Sequence, residues 1–261
     1  MQTQADRLKL TLLGTGTSQG VPVIGCSCPV CTSNDLRDQR LRSAALLSHG
    51  DTNILIDAGP DLRQQMLRAR VRRLDAILLT HEHNDHVIGL DDVRPFNFST
   101  GRSMAVYAQP RVAEAVRHRF AYIFDSPGPG LPRIDLHLIE ADTPLQLNGL
   151  HVEPIGIWHG PLPILGFRFG DLTYLTDVKA ISPDQLKKVK GTRFLVINAL
   201  RRRPHPTHLT LEEALALIEE IGPEHAWLTH ISHELGLARH VEVELPSGVS
   251  LGYDGLEITC P

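Results

Sequence analysis

The stretch His81-Glu82-His83-Asn84-Asp85-His86, directly behind the apolar run Ala76-Ile77-Leu78-Leu79, sets four metal-capable side chains at the mouth of a strand. Two imidazoles two residues apart suit one ion, and the aspartate with the next histidine can turn toward a second. A spacing of two matches neither one helical face nor the four-residue repeat of a zincin helix, so a loop at a strand end is the expected host. A solvated histidine-rich surface loop is the other reading, since the chain holds 14 histidines in 261 residues. Distant partners separate the two. Asp57 closes Ile54-Leu55-Ile56, His159 follows Ile157-Trp158, Asp177 follows Tyr174-Leu175-Thr176, and His230 follows Trp227-Leu228-Thr229. A sheet scaffold gathers ligands at one edge in this way, although each residue taken singly also fits a capping aspartate or a satisfied core histidine.

Hydrophobic content of 42% and charged content of 21% are those of a globular chain with room for one large core or two small ones. A net charge of -4 gives no general attraction to nucleic acid or anionic membrane. The clusters Arg70, Arg72, Arg73 and Arg201, Arg202, Arg203 read as solvated faces. No apolar signal core follows Met1, and no stretch approaches the ~20 apolar residues of a membrane span, so the chain reads as cytoplasmic. Four cysteines are too few for a disulfide scaffold of this size. Cys26, Cys28 and Cys31 are crowded together, which suggests metal more than disulfide; reduced buried thiols or a redox cluster are the alternatives.

Apolar runs of strand length recur at Leu8–Leu13, Asn53–Ile56, Ala76–Leu79, Val152–Ile157, Thr173–Leu175, Phe194–Ile197 and Ala226–Leu228. Thr210-Leu211-Glu212-Glu213 is a capping box, and its helix should run to Gly222-Pro223. Weaker helical signals cover Arg111–Phe120 and Asp184–Lys190. The pattern predicts packed sheets with helices outside, in one domain spanning residues 1–261. Ser126–Pro132, rich in proline and glycine, reads as a loop or protruding arm.

Taken together, the order Asp, His-x-His-x-Asp-His, His, Asp, His resembles the metallo-β-lactamase superfamily, from Leu10 to about Ile258. The resemblance implies an α/β fold: an αββα sandwich of two mixed sheets flanked by helices, with two metals at one edge. It implies that His81, His83 and His159 hold one ion, that Asp85, His86 and His230 hold the other, and that Asp177 bridges them. Asp57 would orient these ligands from behind. Ligand chemistry alone leaves zinc, manganese and iron open; zinc or manganese is the expectation.

A narrower resemblance starts at Leu12-Leu13-Gly14-Thr15-Gly16-Thr17-Ser18-Gln19-Gly20. It points to the phosphodiesterase branch that includes tRNase Z and the PhnP-like phosphoribosyl cyclic phosphate phosphodiesterases. The latter share Cys26-Ser27-Cys28-Pro29-Val30-Cys31, the late Leu228-Thr229-His230-Ile231-Ser232-His233 and the pair Asp254-Gly255. In that resemblance His233 joins Cys26, Cys28 and Cys31 in a closed, structural zinc shell. It also brings His208, just ahead of the capped helix, close to a substrate phosphate, with a purely structural loop histidine as the other reading. Asn198-Ala199-Leu200-Arg201 departs from the relative's pattern at the pocket border, so the exact substrate is not carried over.

The resulting expectation is a metal-dependent phosphoric diester hydrolase acting on a small phosphodiester, cyclic or open. A hydroxide shared by two ions attacks phosphorus, with Asp85 and His208 as the proton-handling residues. A glyoxalase II-like thioesterase or lactonase shares the ligand set but lacks the glycine-rich opening and the cysteines. A tRNA 3′-processing endonuclease would want an arm and a basic surface, and a non-catalytic metal-bound scaffold would have lost ligands. The expected partner is therefore a small-molecule phosphodiester, without nucleic acid or membrane; relatives often pair as homodimers, and that is the only ground for expecting one here.

Overall fold

The computed structural model of the chain describes residues 7–125 and 128–260. Its strands begin with β1 (Leu8–Gly14), β2 (Ala44–His49), β3 (Thr52–Ile56), β4 (Ala76–Leu78), β5 (Met104–Ala108) and β6 (Ile134–Leu138). They continue with β7 (Leu145–Leu147), β8 (Leu150–His159), β9 (Leu162–Phe169), β10 (Leu172–Leu175) and β11 (Ala180–Ile181). The last four are β12 (Phe194–Asn198), β13 (His225–Thr229), β14 (Val249–Leu251) and β15 (Glu257–Cys260). The α-helices are α1 (Leu62–Arg68), α2 (Asn84–Val87), α3 (Arg94–Thr100), α4 (Pro110–Arg119), α5 (Ala121–Phe124), α6 (Pro183–Val189), α7 (Leu211–Ile221) and α8 (Ala238–Val241).

One sheet has the order β15-β1-β2-β3-β4-β5-β6, antiparallel up to β3 and parallel from there to β6. The other runs β11-β8-β9-β10-β12-β13-β14, with β7 beside β8, and turns parallel from β10 onward. The two-residue period of a strand then sorts the side chains into layers. Ile54, Ile56, Ala76 and Leu78 face inward and share a core with Phe167, Phe169, Phe194 and Val196 of the opposite sheet. Leu55 and Ile77 face outward, where Leu62 and Met66 of α1 and Val112 and Val116 of α4 cover them. Leu195 and Ile197 do the same beneath Leu186 of α6 and Ala214 and Ile218 of α7. Strands buried on both faces read as unbroken apolar runs for this reason. The layers are those of an αββα sandwich, two mixed sheets flanked by helices.

All seven apolar runs fall on strands, with Leu79 alone lying past the end of β4, and the capping box operates: Thr210 Oγ1 accepts from Glu213 N–H, and Glu213 accepts in return from Thr210 N–H. Gly222 stops the helix at φ 70°. Arg111–Phe120 and Asp184–Lys190 also prove helical, as α4 and α6. Of the Ser126–Pro132 segment, Ser126 and Pro127 lie outside the described residues, and Gly128 to Leu131 form a turn. Among the described residues no helix is long and apolar enough to cross a membrane.

Candidate metal centre

Five strand ends deliver the site. Asp57 follows β3, His81 lies just beyond β4, His159 ends β8, Asp177 comes after β10, and His230 follows β13. Asp57, Asp177 and His230 leave their strands in the left-handed region, at φ 64°, 57° and 54°. That conformation costs an L-residue about 1 kcal/mol or more, and such strain gathers where function fixes a side chain's direction. The hexapeptide departs in one respect from the expected loop. His81 to His83 are irregular, but Asn84–Val87 wind into a single helical turn, α2, so Asp85 and His86 project from a helix. The turn after Asp57 docks on it: Ala58 N–H donates to His86 O at 2.7 Å, and a Cβ on Gly59 would stand 2.0 Å from Asp85 O. Only glycine allows that approach.

Behind the site, the Nδ1 of each of four imidazoles has an acceptor. His86 Nδ1–H donates to Asp57 Oδ2 at 2.7 Å, and His81 Nδ1–H to Thr80 Oγ1 at 3.0 Å. His159 Nδ1–H donates to the carbonyls of Asp177 and Thr207, both at 2.9 Å. His230 Nδ1–H donates to Ser43 Oγ at 3.1 Å, while that hydroxyl donates to Gly16 O. These partners select the tautomer that leaves each Nε2 lone pair free. The free nitrogens converge. His81 Nε2 is 2.9 Å from His83 Nδ1, and donor atoms of His81, His83 and His159 lie within 4.8 Å of one another. The triads Asp85, His86, His230 and His81, His86, Asp177 meet the same limit.

Asp177 stands in the middle. One carboxylate oxygen lies 3.2 Å from His230 Nε2 and 3.5 Å from His208 Nδ1, the other 3.3 Å from His86 Nε2. Buried His86 Nε2 and His208 Nδ1 nevertheless lack a hydrogen-bond partner, so these approaches are not aligned as hydrogen bonds. Imidazole nitrogens and carboxylates turned toward shared points without aligned hydrogen bonds between them are the donor set of divalent cations. Charge agrees. Burial alone would lower His86, yet Asp85, Asp177 and Asp57 hold its pKa well above the ordinary range. Burial would raise Asp177, but His230, His86 and His81 keep it well below. Desolvation lowers His81, His83 and His230. The residues present thus fit divalent ions.

His208 faces this cluster, with its ring centroid 4.6 Å from that of His159 and 4.8 Å from that of His230. Burial and the neighbouring His230 push its pKa down. His205 lies behind it, at 4.9 Å. The nearby arginines turn elsewhere: Arg201 and Arg203 pair with Glu234, and Arg202 pairs with Glu244. Sequence reasoning gave no role to Asn198, which is fully buried and hydrogen-bonds both backbone groups of Val178, nor to Glu82, which pairs with Arg111. The sequence shows Asn198 only as a polar residue closing an apolar run, with nothing to mark its partner; Glu82 and Arg111 offered no signal.

At the other cluster, Cys26, Cys28 and Cys31 Sγ lie 3.3, 3.3 and 3.4 Å from His233 Nδ1. A tetrahedral zinc shell with Zn–S near 2.3 Å and Zn–N near 2.0 Å has S···N edges of about 3.5 Å. All four cysteines are free of disulfides.

Residues 52–231 match the model of the β-lactamase superfamily domain. The chain is 46% identical over 254 residues to an octanoyltransferase of Porphyromonas gingivalis, covering 96% of this chain and 51% of that protein. It spans about half the length of the curated relatives it matches. Among solved structures, a diphosphatase from the PhnP family superposes with a TM-score of 0.92 at 38% identity, covering 97% of each chain. The fold is shared with zinc-bound PqqB from Methylobacterium extorquens, with a TM-score of 0.79 at 20% identity over 96% of this chain and 99% of that one. With the family domain across the strand ends that carry the site and a PhnP-family structure matching nearly end to end, the chain belongs to the metallo-β-lactamase superfamily, in its PhnP-like branch.

Proposed function

We propose that the chain hydrolyses a small substrate at a phosphorus held between two bridging oxygens, as in a phosphodiester or a substituted diphosphate. The observation that carries this reading is the convergence of two ligand triads on Asp177 with His208 beside them, and its kinship with a PhnP-family diphosphatase supports it. His81, His83 and His159 would hold one divalent ion, zinc or manganese. Asp85, His86 and His230 would hold the second, with Asp177 between them. When bound, two such ions supply a nucleophile from water at neutral pH and withdraw charge from phosphoryl oxygens. The protein does the rest. Asp57 fixes the His86 tautomer, the carbonyls of Asp177 and Thr207 aim His159, and Ser43 aims His230. In this reading Asp85 would orient the attacking water, and the His208 ring would donate a hydrogen bond to the phosphoryl group or a proton to the leaving oxygen. Cys26, Cys28, Cys31 and His233 would hold a structural zinc ion.

The 46% identity to a protein named for octanoyl transfer favours one second reading, hydrolysis of an acyl thioester at the same centre. Both are tested by offering bis(p-nitrophenyl) phosphate, a 2′,3′-cyclic nucleotide, a nucleoside diphosphate ester and an octanoyl thioester to the metal-loaded protein. Turnover of a phosphorus substrate that is lost in Asp177→Ala, and reduced in kcat about 10²–10³-fold in His208→Ala, is the expected result. Turnover of the thioester alone would sink the first reading and establish the second.

A further inference from the structure

We infer that Arg111 is a positioning residue for the first of the two ions, a clamp between the loop that carries His81 and His83 and the hairpin that carries His159. The inference rests on the two-ion reading above.

Those three ligands come from different sheets, so no strand pairing fixes their spacing. His81 and His83 follow β4, whereas His159 ends β8, where it pairs with Leu162 of β9. One backbone hydrogen bond, from Leu165 N–H to Thr80 O at 3.1 Å, ties the two segments in the interior. Arg111, on the first turn of α4, ties them at the rim. Its Nη1 donates to Glu82 Oε1, and Glu82 is the residue between the two histidines. Its Nη2 donates to Pro163 O at 2.7 Å, next to Leu162 and opposite Trp158. Arg119, at the far end of α4, donates to the Glu82 carbonyl, so one helix grips both the side chain and the backbone of that residue.

The planar guanidinium suits this task because its two arms point to fixed places at once; a lysine ammonium on a flexible stem serves as a single point charge. The other Glu82 oxygen, Oε2, is buried without a hydrogen-bond partner, which leaves the carboxylate dependent on Arg111. Without the guanidinium, Glu82 would keep a poorly solvated charge and draw its loop toward water, moving His81 and His83 away from His159. The rings now stand 5.5 and 5.1 Å from the His159 ring.

The test is a chelator-competition titration of cobalt and zinc on wild type, Arg111→Ala, Arg111→Lys and Glu82→Gln, with metal content determined per chain. Removing an outer partner of metal ligands costs about 10–100-fold in affinity. Arg111→Ala should weaken one active-site ion to that degree, leaving the second ion and the cobalt–thiolate band of the cysteine cluster unchanged. Glu82→Gln should shift the same ion in the same direction, and Arg111→Lys should stay nearer to alanine than to wild type. Lost kcat should return at excess metal with KM unmoved. Unchanged affinity for both ions in Arg111→Ala overturns the clamp; if that variant does not fold, unchanged affinity in Glu82→Gln overturns it. A wild type that holds both ions but turns over no phosphorus substrate removes the proposed reaction and leaves the clamp to be judged by the titration, whereas a wild type that binds no ion at these histidines removes the clamp as well.

Discussion

Asn198 ends β12 fully buried, and its amide serves a loop rather than a strand. Val178 N–H donates to its Oδ1 at 2.7 Å, and its Nδ2 donates to Val178 O at 3.1 Å. Val178 directly follows Asp177, so this amide holds the left-handed turn that aims the central carboxylate. Asn198→Ala would strand the buried Val178 N–H, at a cost of about 1–3 kcal/mol, while Val178 O keeps the bond it accepts from Leu209 N–H at 3.2 Å. The expected loss is about 1–3 kcal/mol in urea unfolding, together with weaker retention of active-site metal; an unchanged midpoint would mean that water takes over the bond from Val178 N–H. Residues of the Asp177 kind were legible in the sequence because each sits where an apolar run stops, and strand ends are where a sheet presents side chains to a site. Asn198 and Arg111 were not. Asn198 follows an apolar run too, but its partner lies twenty positions back and is backbone, which carries no residue-type signal. Arg111 is one charged residue on a helix surface among several, and its partners Glu82 and Pro163 come from two other elements.

At the scale of the element, α7 follows His208 closely and its first turn is tied to the preceding loop. Leu211 N–H donates to Arg201 O at 3.0 Å, and Leu200 N–H to Leu209 O at 3.0 Å. The capping box satisfies the Thr210 and Glu213 N–H groups, and Lys179 adds an ion pair to Glu213 at 2.7 Å. Thr210→Ala removes the hydroxyl of the box and should cost about 1 kcal/mol in a denaturant titration; a loss indistinguishable from zero would show that the loop, not the cap, sets where the helix begins. This helix was legible because its cap, stripe and stop are local. β9 was not, since Pro163 and Gly166 read as breakers. Its register supplies the reason: Pro163 lies at the hairpin end, and a Cβ on Gly166 would meet Leu175 Cδ2 at 2.4 Å and Tyr174 O at 3.0 Å. β2 escaped notice because Ser48 and His49 dilute its apolar run, although Ala44 to Leu47 are buried.

Across the whole molecule, the cysteine cluster joins the two ends of the chain beside the site. Cys26, Cys28 and Cys31 lie in the loop after β1, and His233 lies just past His230. Between them the glycine-rich opening touches the same segment: Thr17 N–H donates to Ile231 O at 3.1 Å, and Thr17 Oγ1 lies 3.3 Å from His230 Nε2. Beyond His233, Glu234 binds Arg201 and Arg203 of the loop that leads to His208. An ion held by the four donors would therefore stiffen three segments around the second active-site ion: the opening loop, the His230 turn and the approach to His208. The apolar support here is thin, a small cluster of Val21, Val30 and Cys31 with Val23 and Leu237 packed against it, so an ion bound there would be a substantial tie. Cys31→Ser should bind one zinc ion fewer per chain and lower the thermal midpoint, by about 2–4 °C for each kcal/mol lost in a chain of this size. Because this packing abuts the His230 turn, kcat should fall about 10–100-fold, as for loss of an outer partner, while the ion at His81, His83 and His159 stays at wild-type affinity. Metal analysis, calorimetry and the chelator titration on the one variant check all three; wild-type zinc content with an unmoved midpoint would show that the thiols serve something other than a structural ion.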